Sequence, residues 1–509
     1  MDMVKEYLLG IDIGTLGSKG VIINADAEVI AQKFIEHDIK VLRPGWVEQD
    51  PEVFWNDFKT LTKLLINDSK INPSNIVGVG ISGLVPDVVP IDEFGKPIRN
   101  CIIYMDRRAV REAEWVKERI GHEKIYMRSG NAIDPYFAGY KCLWFKFNEP
   151  ENYKKTWRIL DGSKYVVFKL TEKDVLDSST GPLFAPFFNL LNREWDKEIL
   201  NELNFEAEKL PDIASPIEII GEVTAEASKE TGLNEGTKVI AGGPDYQFSA
   251  YSVGISSLGD TMIMYGTTGL LGLTLDKPLF DPRLVNSIYI VPNMYMSFGG
   301  MSTIGALVRW FRDEFGFVER EAERLTGVSA YSLLDREAEK VPPGSDGLVV
   351  LPYFMGERTP IWDPMARGVI LGLTLYHTRA HVFRALLEST GYALKQHIEI
   401  ARELGIEIKR VVAVNGGARS RLWRQIISDI IEMPQQYISK TTGAPYGDAF
   451  LAGAALKIFR RPEEIRRYVE VDEETRPNPE NIERYNQLYK IYLELYPKLR
   501  ENMHKLTQT

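Results

Sequence analysis

The sequence predicts an α/β protein built from two similar halves, and three stretches carry that prediction. An apolar strand, Tyr7-Leu8-Leu9-Gly10-Ile11-Asp12-Ile13, runs into the turn Gly14-Thr15-Leu16-Gly17. A second β-rich segment, Thr261 to Tyr265, runs into Gly266-Thr267-Thr268-Gly269 in the same manner. Just ahead of it, Asp245 stands behind the flexible Gly242-Gly243-Pro244 turn. Two strand–turn units in one 509-residue chain imply two halves facing each other, with Asp245 near the cleft between them.

Composition narrows the possible functions. Apolar residues at 44% and charged residues at 26% are ordinary globular values and predict a sizeable core. A formal net charge of −10 argues against a nucleic-acid binder, which shows a basic footprint. Cys101 and Cys142 are the only cysteines, so no disulfide framework is expected and a reducing compartment fits. Met1 to Glu6 is charged and lacks a signal-peptide core, and no apolar run reaches the 18 or so residues that span a bilayer. The expectation is a soluble, cytoplasmic protein.

Taken in order, Tyr7–Ile13 and Lys19–Asn24 read as a hairpin around Gly14–Ser18, not as a strand-to-helix dinucleotide turn. There the Asp12 carboxylate can hold a hydrated Mg²⁺, Gly14 admits a phosphate, and Thr15 supplies a neutral donor. A tight hairpin with a turn-forming aspartate is the plainer alternative. Asp50 and Pro51 have N-cap and first-turn chemistry, opening a helix with Val53, Phe54, Phe58, Leu61, Leu64 and Leu65 on one inward stripe. Ile76–Ser82 is a buried strand with a loop to Asp87, and Ile98–Tyr104 is a further strand. Loops at strand ends bind ligands in α/β proteins, which makes Asp87, Tyr104, Asp106 and Arg108 candidates for substrate contacts. A solvated helix start with internal ion pairs accounts equally for the residues from 106 onward.

Residues 121–210 are aromatic-rich, and their helical spacing predicts core. Ala225–Thr231 reads as a short helix, Thr303–Phe315 as a helix turning Leu307, Trp310 and Phe311 inward, and Leu348–Pro352 as a strand. The loop from Tyr353 to Asp363 is long and polar. Arg379–Glu403 is a helix with Phe383, Leu386, Leu387 and Leu394 inward. His377 and His381 have metal-compatible spacing but lack the accompanying glutamate, so helix-end packing is expected there. The strand Arg410–Val414 ends in Asn415-Gly416-Gly417-Ala418-Arg419-Ser420 before a helix, Leu422–Ile431, an arrangement suited to a nucleotide. A glycine-rich turn without ligand is the alternative. Thr441–Asp448 is read as the lead into a small-residue helix, Ala449–Ile458, and a long amphipathic helix starts at Pro479. The expected division is 1–250 and 251–509, with a helical tail from about residue 462 docked on the second domain.

With these pieces assembled, the chain resembles the FGGY family of carbohydrate kinases over nearly its whole length. Gly10-Ile11-Asp12-Ile13-Gly14-Thr15 with Lys19 resembles the first phosphate motif, and Gly266-Thr267-Thr268-Gly269 the second. Pro44-Gly45-Trp46-Val47-Glu48-Gln49-Asp50-Pro51 and Tyr104-Met105-Asp106-Arg107-Arg108 are similar to sugar-side segments. Gly242-Gly243-Pro244-Asp245 resembles the stretch bearing the catalytic aspartate. Gly356-Glu357-Arg358-Thr359-Pro360 with Asp363 and Ala366-Arg367-Gly368 matches a further family run. Gly416-Gly417-Ala418-Arg419-Ser420 with Leu422-Trp423-Arg424-Gln425 resembles the adenosine motif.

The resemblance implies two actin-like (ribonuclease-H-like) ATPase domains around a central cleft, closing over ATP, Mg²⁺ and a sugar or polyol. It implies Asp245 as catalytic base, Asp12 toward the metal, and Asp12, Gly14, Thr15, Lys19, Gly266, Thr267, Thr268, Gly416, Gly417, Ala418 and Ser420 along the nucleotide. The substrate contacts would be Asp87, Tyr104, Asp106, Arg108, Asp245 and Tyr246. In the Gly83–Val89 loop the Met-His of xylulose kinases and the Arg-Glu of glycerol kinases are missing, and Asp87 there is more like the deoxyketose kinases. Asp87 could accept two charge-assisted hydrogen bonds from vicinal hydroxyls, which suits a sugar better than a carboxylate substrate. Tyr246 is bulkier than the Asn or Gln often found beside the base. The first expectation is a xylulokinase-like ketopentose specificity. Ribulose, rhamnulose, fuculose, glycerol and erythritol are alternatives, as are a substrate-free actin-like ATPase and a sugar-sensing relative. No nucleic-acid or membrane partner is expected, and a homodimer is left open.

Overall fold

A computed structural model describes residues 6–439 and 442–507. Met1–Lys5 of the N-terminal reading and Thr441 of the helix-opening run lie outside the described residues. The chain divides into two compact units, one comprising Met1–Leu258, Thr274–Ser297 and Thr441–Val469, the other Gly259–Leu273, Phe298–Lys440 and Glu470–Thr509.

In the first unit the N-terminal hairpin forms as the turn chemistry dictates. β1 (Tyr7–Ile13) pairs antiparallel with β2 (Gly17–Asn24), which pairs with β3 (Val29–Glu36). The side chains of Leu8, Leu9, Ile11 and Ile13 are buried. Helix α1 (Pro51–Ser69) begins where Asp50 accepts the Glu52 amide at 3.0 Å, with Pro51 in the first turn where its missing N–H costs nothing. Its inward face comprises Phe54, Trp55, Phe58, Leu61 and Leu65. Leu64, read as inward from the spacing, is 42% exposed, whereas Trp55 is buried with its ring stacked on Phe58 at 5.8 Å. β4 (Ile76–Gly83) lies parallel to β1, with Gly10 opposite Gly80 and Asp12 opposite Ser82. α2 (Gly162–Thr171) starts at the Asp161 cap, and β5 (Lys238–Ile240) extends the sheet parallel to β4. The chain then turns through Gly243-Pro244, paired with Ser82 and Gly83, into α3 (Asp245–Ser252). The aromatic stretch between residues 121 and 210 is core, as expected: Tyr140, Leu143, Phe145 and Tyr165 are fully buried.

The second unit repeats this local plan. β6 (Asp260–Tyr265) and β7 (Gly269–Leu275) form an antiparallel hairpin closed by the second Gly-Thr turn. β8 (Tyr295–Met301) flanks β7 in the sheet order. α4 (Gly305–Phe315) follows, and α5 (Arg379–Glu403) buries Phe383, Leu386, Leu387 and Leu394. β9 (Arg410–Val414) pairs parallel with β6, as β4 does with β1. α6 (Arg421–Ile431) starts at Ser420, whose side chain accepts the Trp423 amide. The histidine pair is helix-end structure: Nδ1 of His377 lies 3.0 Å from the Thr374 hydroxyl, and His381 completes a capping box with Thr378.

The chain next contributes α7 (Ala444–Ala455) to the first unit, although sequence order places it in the C-terminal half. The helix begins at Ala444, ahead of the Ala449 start read from the sequence, and takes in Gly447 and Asp448. Glycines account for its seating. A Cβ on Gly10 would overlap the Pro445 carbonyl and lie 2.7 Å from the Ala449 amide nitrogen. One on Gly80 would lie 2.7 Å from the Asp448 carbonyl carbon. Bare backbone on adjacent strands is what lets α7 lie flat on the sheet. The last helix, α8 (Pro479–Leu506), belongs to the second unit and buries Tyr485, Leu488, Tyr489, Tyr492 and Leu495 in its core.

Candidate active site

In the first unit, sheet register assembles the acids. Lys19 on β2 stands opposite Asp12 on β1, Asp12 opposite Ser82 on β4, and Ser82 opposite Gly243. Asp245 follows two residues later as the first residue of α3, where one carboxylate oxygen accepts its neighbour's amide, Tyr246 N–H, at 2.6 Å. The Ser82 hydroxyl donates to Asp448 on α7 at 2.7 Å and lies 3.5 Å from Asp12 Oδ1. Burial raises all three carboxyls. Asp12 is pushed up to about 6, with Lys19 opposing. Asp245 reaches about 8, through burial first and the negative charge of Asp12 second. Asp448 lies well above the usual carboxylate range, again mainly through burial. A half-buried acid poised near neutrality is suited to accept a proton.

The excess of carboxylate over cation also fits a divalent metal. Among the described residues no three His, Cys, Asp or Glu side chains form a ready metal cluster.

The turn residue Thr15 reaches toward the Tyr104 hydroxyl, 3.5 Å away, which brings a nucleotide candidate and a substrate candidate together. Beside Asp245, Tyr246 OH accepts from Gln247 Nε2 at 3.1 Å, and Gln247 is fixed by Ser287 and the Ile288 carbonyl at 3.0 Å each.

The charged substrate candidates are built into the protein interior. Arg108 lies 4.0 Å over the Trp46 ring, grips Asp106 through two hydrogen bonds of 2.9 and 2.7 Å, and pairs with Glu48 at 2.9 Å. Asp106 in turn accepts the Val47 amide at 2.6 Å. Asp87 is fully buried, with Oδ2 accepting the Gly162 amide at 3.1 Å and lying 3.4 Å from Cys101 Sγ. Behind this loop Lys141 donates to the Pro86 and Ile103 carbonyls at 2.8 and 3.0 Å.

In the second unit the two candidate nucleotide motifs are neighbours. Thr267 and Thr268 are exposed at the β6–β7 turn. A Cβ on Gly266 would lie 3.4 Å from the Asn415 side-chain amide, and one on Gly417 would lie 3.0 Å from Tyr265 Cβ. Asn415 has φ 73°, a left-handed backbone that costs a non-glycine residue strain and marks the strand end as specially shaped. Gly416 is open, with nothing within 4 Å of its Cβ position, and Ala418 is buried. Ser420 caps α6 and hydrogen-bonds Asp335, whose carboxyl is pushed up to about 6 by burial.

Sequence reasoning missed Ser82, Asp335 and Asp448, while Asn415 stood within the strand-end run read as suited to a nucleotide. Asp448 carried a signal, being the only charged residue in the small, apolar α7 segment. Ser82 and Asp335 carry none, because their roles come from partners distant in sequence.

The family model for the FGGY family of carbohydrate kinases, N-terminal domain, matches residues 7–252, and that for the C-terminal domain matches residues 261–456. A gluconokinase of Bacillus subtilis is 30% identical over 87% of this chain and 86% of its own length. A xylulose kinase of Staphylococcus epidermidis is 29% identical over 98% of both chains. The crystal structure of xylulose kinase from Rhodospirillum rubrum superposes with a TM-score of 0.90 at 28% identity, covering 98% of this chain and 100% of its own.

Proposed function

The chain belongs to the FGGY family of carbohydrate kinases, and from that premise we propose that it transfers the γ-phosphoryl group of ATP to a hydroxyl of a ketopentose such as xylulose, with Asp245 as base. The observation that carries this reading is the row Lys19–Asp12–Ser82–Gly243 leading to a carboxylate raised to about 8. Asp245 accepts the hydroxyl proton as the sugar oxygen bonds to phosphorus and the bond to ADP breaks. Asp12 contributes to holding Mg²⁺, and Thr15 and Lys19 face phosphate oxygens. Bound Mg²⁺ supplies neutralisation of phosphate charge during transfer. In the second unit, Gly266, Thr267 and Thr268 hold phosphates, and Gly416, Gly417, Ala418 and Ser420 lie along the adenosine.

Tyr104 and Tyr246 contact the sugar directly, while Asp87, Asp106 and Arg108 shape its loop from within. Two buried free thiols, Cys101 and Cys142, support a reducing compartment, the cytoplasm.

The gluconokinase relative favours a second acceptor, gluconate. Pairing argues against it: Arg108 is already paired with Asp106 and Glu48, and Lys19 stands opposite Asp12 in the sheet. ADP release with Mg·ATP across D-xylulose, D-ribulose, L-ribulose, L-rhamnulose, L-fuculose, glycerol, erythritol, gluconate and a blank tests the assignment. Xylulose or another ketopentose should dominate. A response to gluconate alone would replace the acceptor, and a blank as fast as every sugar would defeat the kinase reading.

The base also sets a pH dependence. Asp245 must be ionised to accept a proton, so kcat/KM for the sugar should fall as pH drops below about 8. Lys19 opposes the upward shift, so Lys19→Met should move this acidic limb to higher pH. A limb that stays in place would separate Lys19 from the base.

A further inference from the structure

Four consecutive residues ahead of α4 are each tied to one loop of the second unit. The Gly300 amide donates to Thr359 Oγ1 at 2.6 Å. Arg358 Nη2 donates to the Met301 carbonyl at 3.0 Å, with its guanidinium lying against Gly300. The Ser302 amide donates to Glu357 Oε1 at 2.6 Å, and the same oxygen accepts the Arg358 amide at 2.8 Å. Thr303 Oγ1 donates to the Pro352 carbonyl.

The clamp is itself anchored. His397 Nδ1 lies 2.8 Å from the Ala393 carbonyl, which can only accept, so Nδ1 carries the proton and Nε2 receives the Thr359 hydroxyl at 2.9 Å. Burial holds that imidazole neutral, lowering it to about 4. Gly299 packs on the same ring, where a Cβ would lie 2.6 Å from Nε2. Glu357 also closes its own loop through paired backbone bonds with Asp363, 2.8 and 2.9 Å.

The next three residues then reach the β6–β7 turn. Gly305 N–H donates to the Gly266 carbonyl at 2.8 Å, while Ile304 and Ala306 N–H donate to the Thr267 carbonyl at 3.2 and 3.0 Å. These amides at the start of α4 lack intrahelical partners, so they are free to fix the turn. A Cβ on Gly305 would lie 2.5 Å from the Gly266 oxygen, so no other residue permits this approach.

We propose that Glu357 and Thr359 are positioning residues for the nucleotide phosphates, acting through the 300–306 segment to hold the Gly266–Thr268 turn in register. Their carboxylate and hydroxyl fix the backbone of Gly300 and Ser302, and the following amides hold the carbonyls of Gly266 and Thr267. Thr267 and Thr268 are themselves exposed at this turn. The inference rests on the reading of that turn as a phosphate site.

Equilibrium binding of ADP and of adenosine to the full chain, by calorimetry, tests it. Glu357→Ala should weaken ADP about tenfold, the effect of leaving a buried amide without its acceptor, and leave adenosine within about twofold. Glu357→Gln, which keeps the accepting oxygen, should restore ADP binding. Thr359→Val removes the hydroxyl at nearly constant shape, should weaken ADP about threefold, and carries the test if Glu357→Ala fails to fold. Equal weakening of ADP and adenosine, or of neither, would overturn the proposal. Thr267→Val is the control: unchanged ADP affinity there would defeat the phosphate-turn reading itself. ADP loss in Thr267→Val with none in the Glu357 and Thr359 variants would defeat only the positioning role.

Discussion

Asp245→Asn is expected to lower turnover by about 10²- to 10⁴-fold, the usual worth of a positioned base, while ATP affinity changes no more than about threefold. The amide preserves the shape of the side chain at the start of α3 and can still accept the Tyr246 N–H, so the local fold should survive. What it removes is the group raised to about 8 by burial and by Asp12. Rapid-quench turnover paired with calorimetric ATP binding checks both halves. Turnover within about threefold of wild type would remove Asp245 from the chemistry. A parallel collapse of ATP affinity would show that its role is in nucleotide binding instead.

The second large effect concerns stability. Gly10→Ala is expected to cost about 3 kcal/mol, the upper end of ordinary overpacking penalties. Its Cβ would overlap the Pro445 carbonyl and press on the Ala449 amide at 2.7 Å, both backbone atoms that cannot swing aside. Relief requires α7 to lift from β1, which would also separate Asp448 from Ser82. Gly416→Ala is the matched control, because nothing lies within 4 Å of its Cβ position, and it should stay within about 0.5 kcal/mol. Urea midpoints measure both. Equal midpoints for Gly10→Ala and wild type would mean that α7 is not seated on the sheet.

These expectations show what could be read from the chain and what could not. The paired Gly-Thr turns were legible because a short apolar strand ending in such a turn has few local alternatives. Both hairpins form, each with a parallel neighbour on its first strand. Helices with clear stripes and caps, such as α1, α5 and α8, also follow their local chemistry. The affiliation of α7 was not legible. Its small residues promise close packing, but which backbone they meet depends on Gly10 and Gly80, several hundred residues earlier.

The same limit applies at the site. Asp12 and Asp245 stand beside turns whose shape is locally encoded, so their setting could be anticipated. Asp106 and Arg108 look alike in sequence whether they face solvent, a sugar or each other. Glu48, Trp46, Trp144 and the Val47 amide, brought close by folding, decide that they bind one another. Asp87 is similar, since the Gly162 amide that fixes it comes from the start of α2. Sugar preference therefore stays hidden in tertiary partners even where family motifs are plain.

The most direct measurement is ³¹P nuclear magnetic resonance of the full chain with Mg·ATP, with and without D-xylulose. A phosphomonoester signal of a sugar should grow in step with ADP, only when sugar is present, and vanish in Asp245→Asn. Inorganic phosphate growing at the same rate with or without sugar, with no phosphomonoester from xylulose or any other acceptor, would contradict phosphoryl transfer to a sugar hydroxyl.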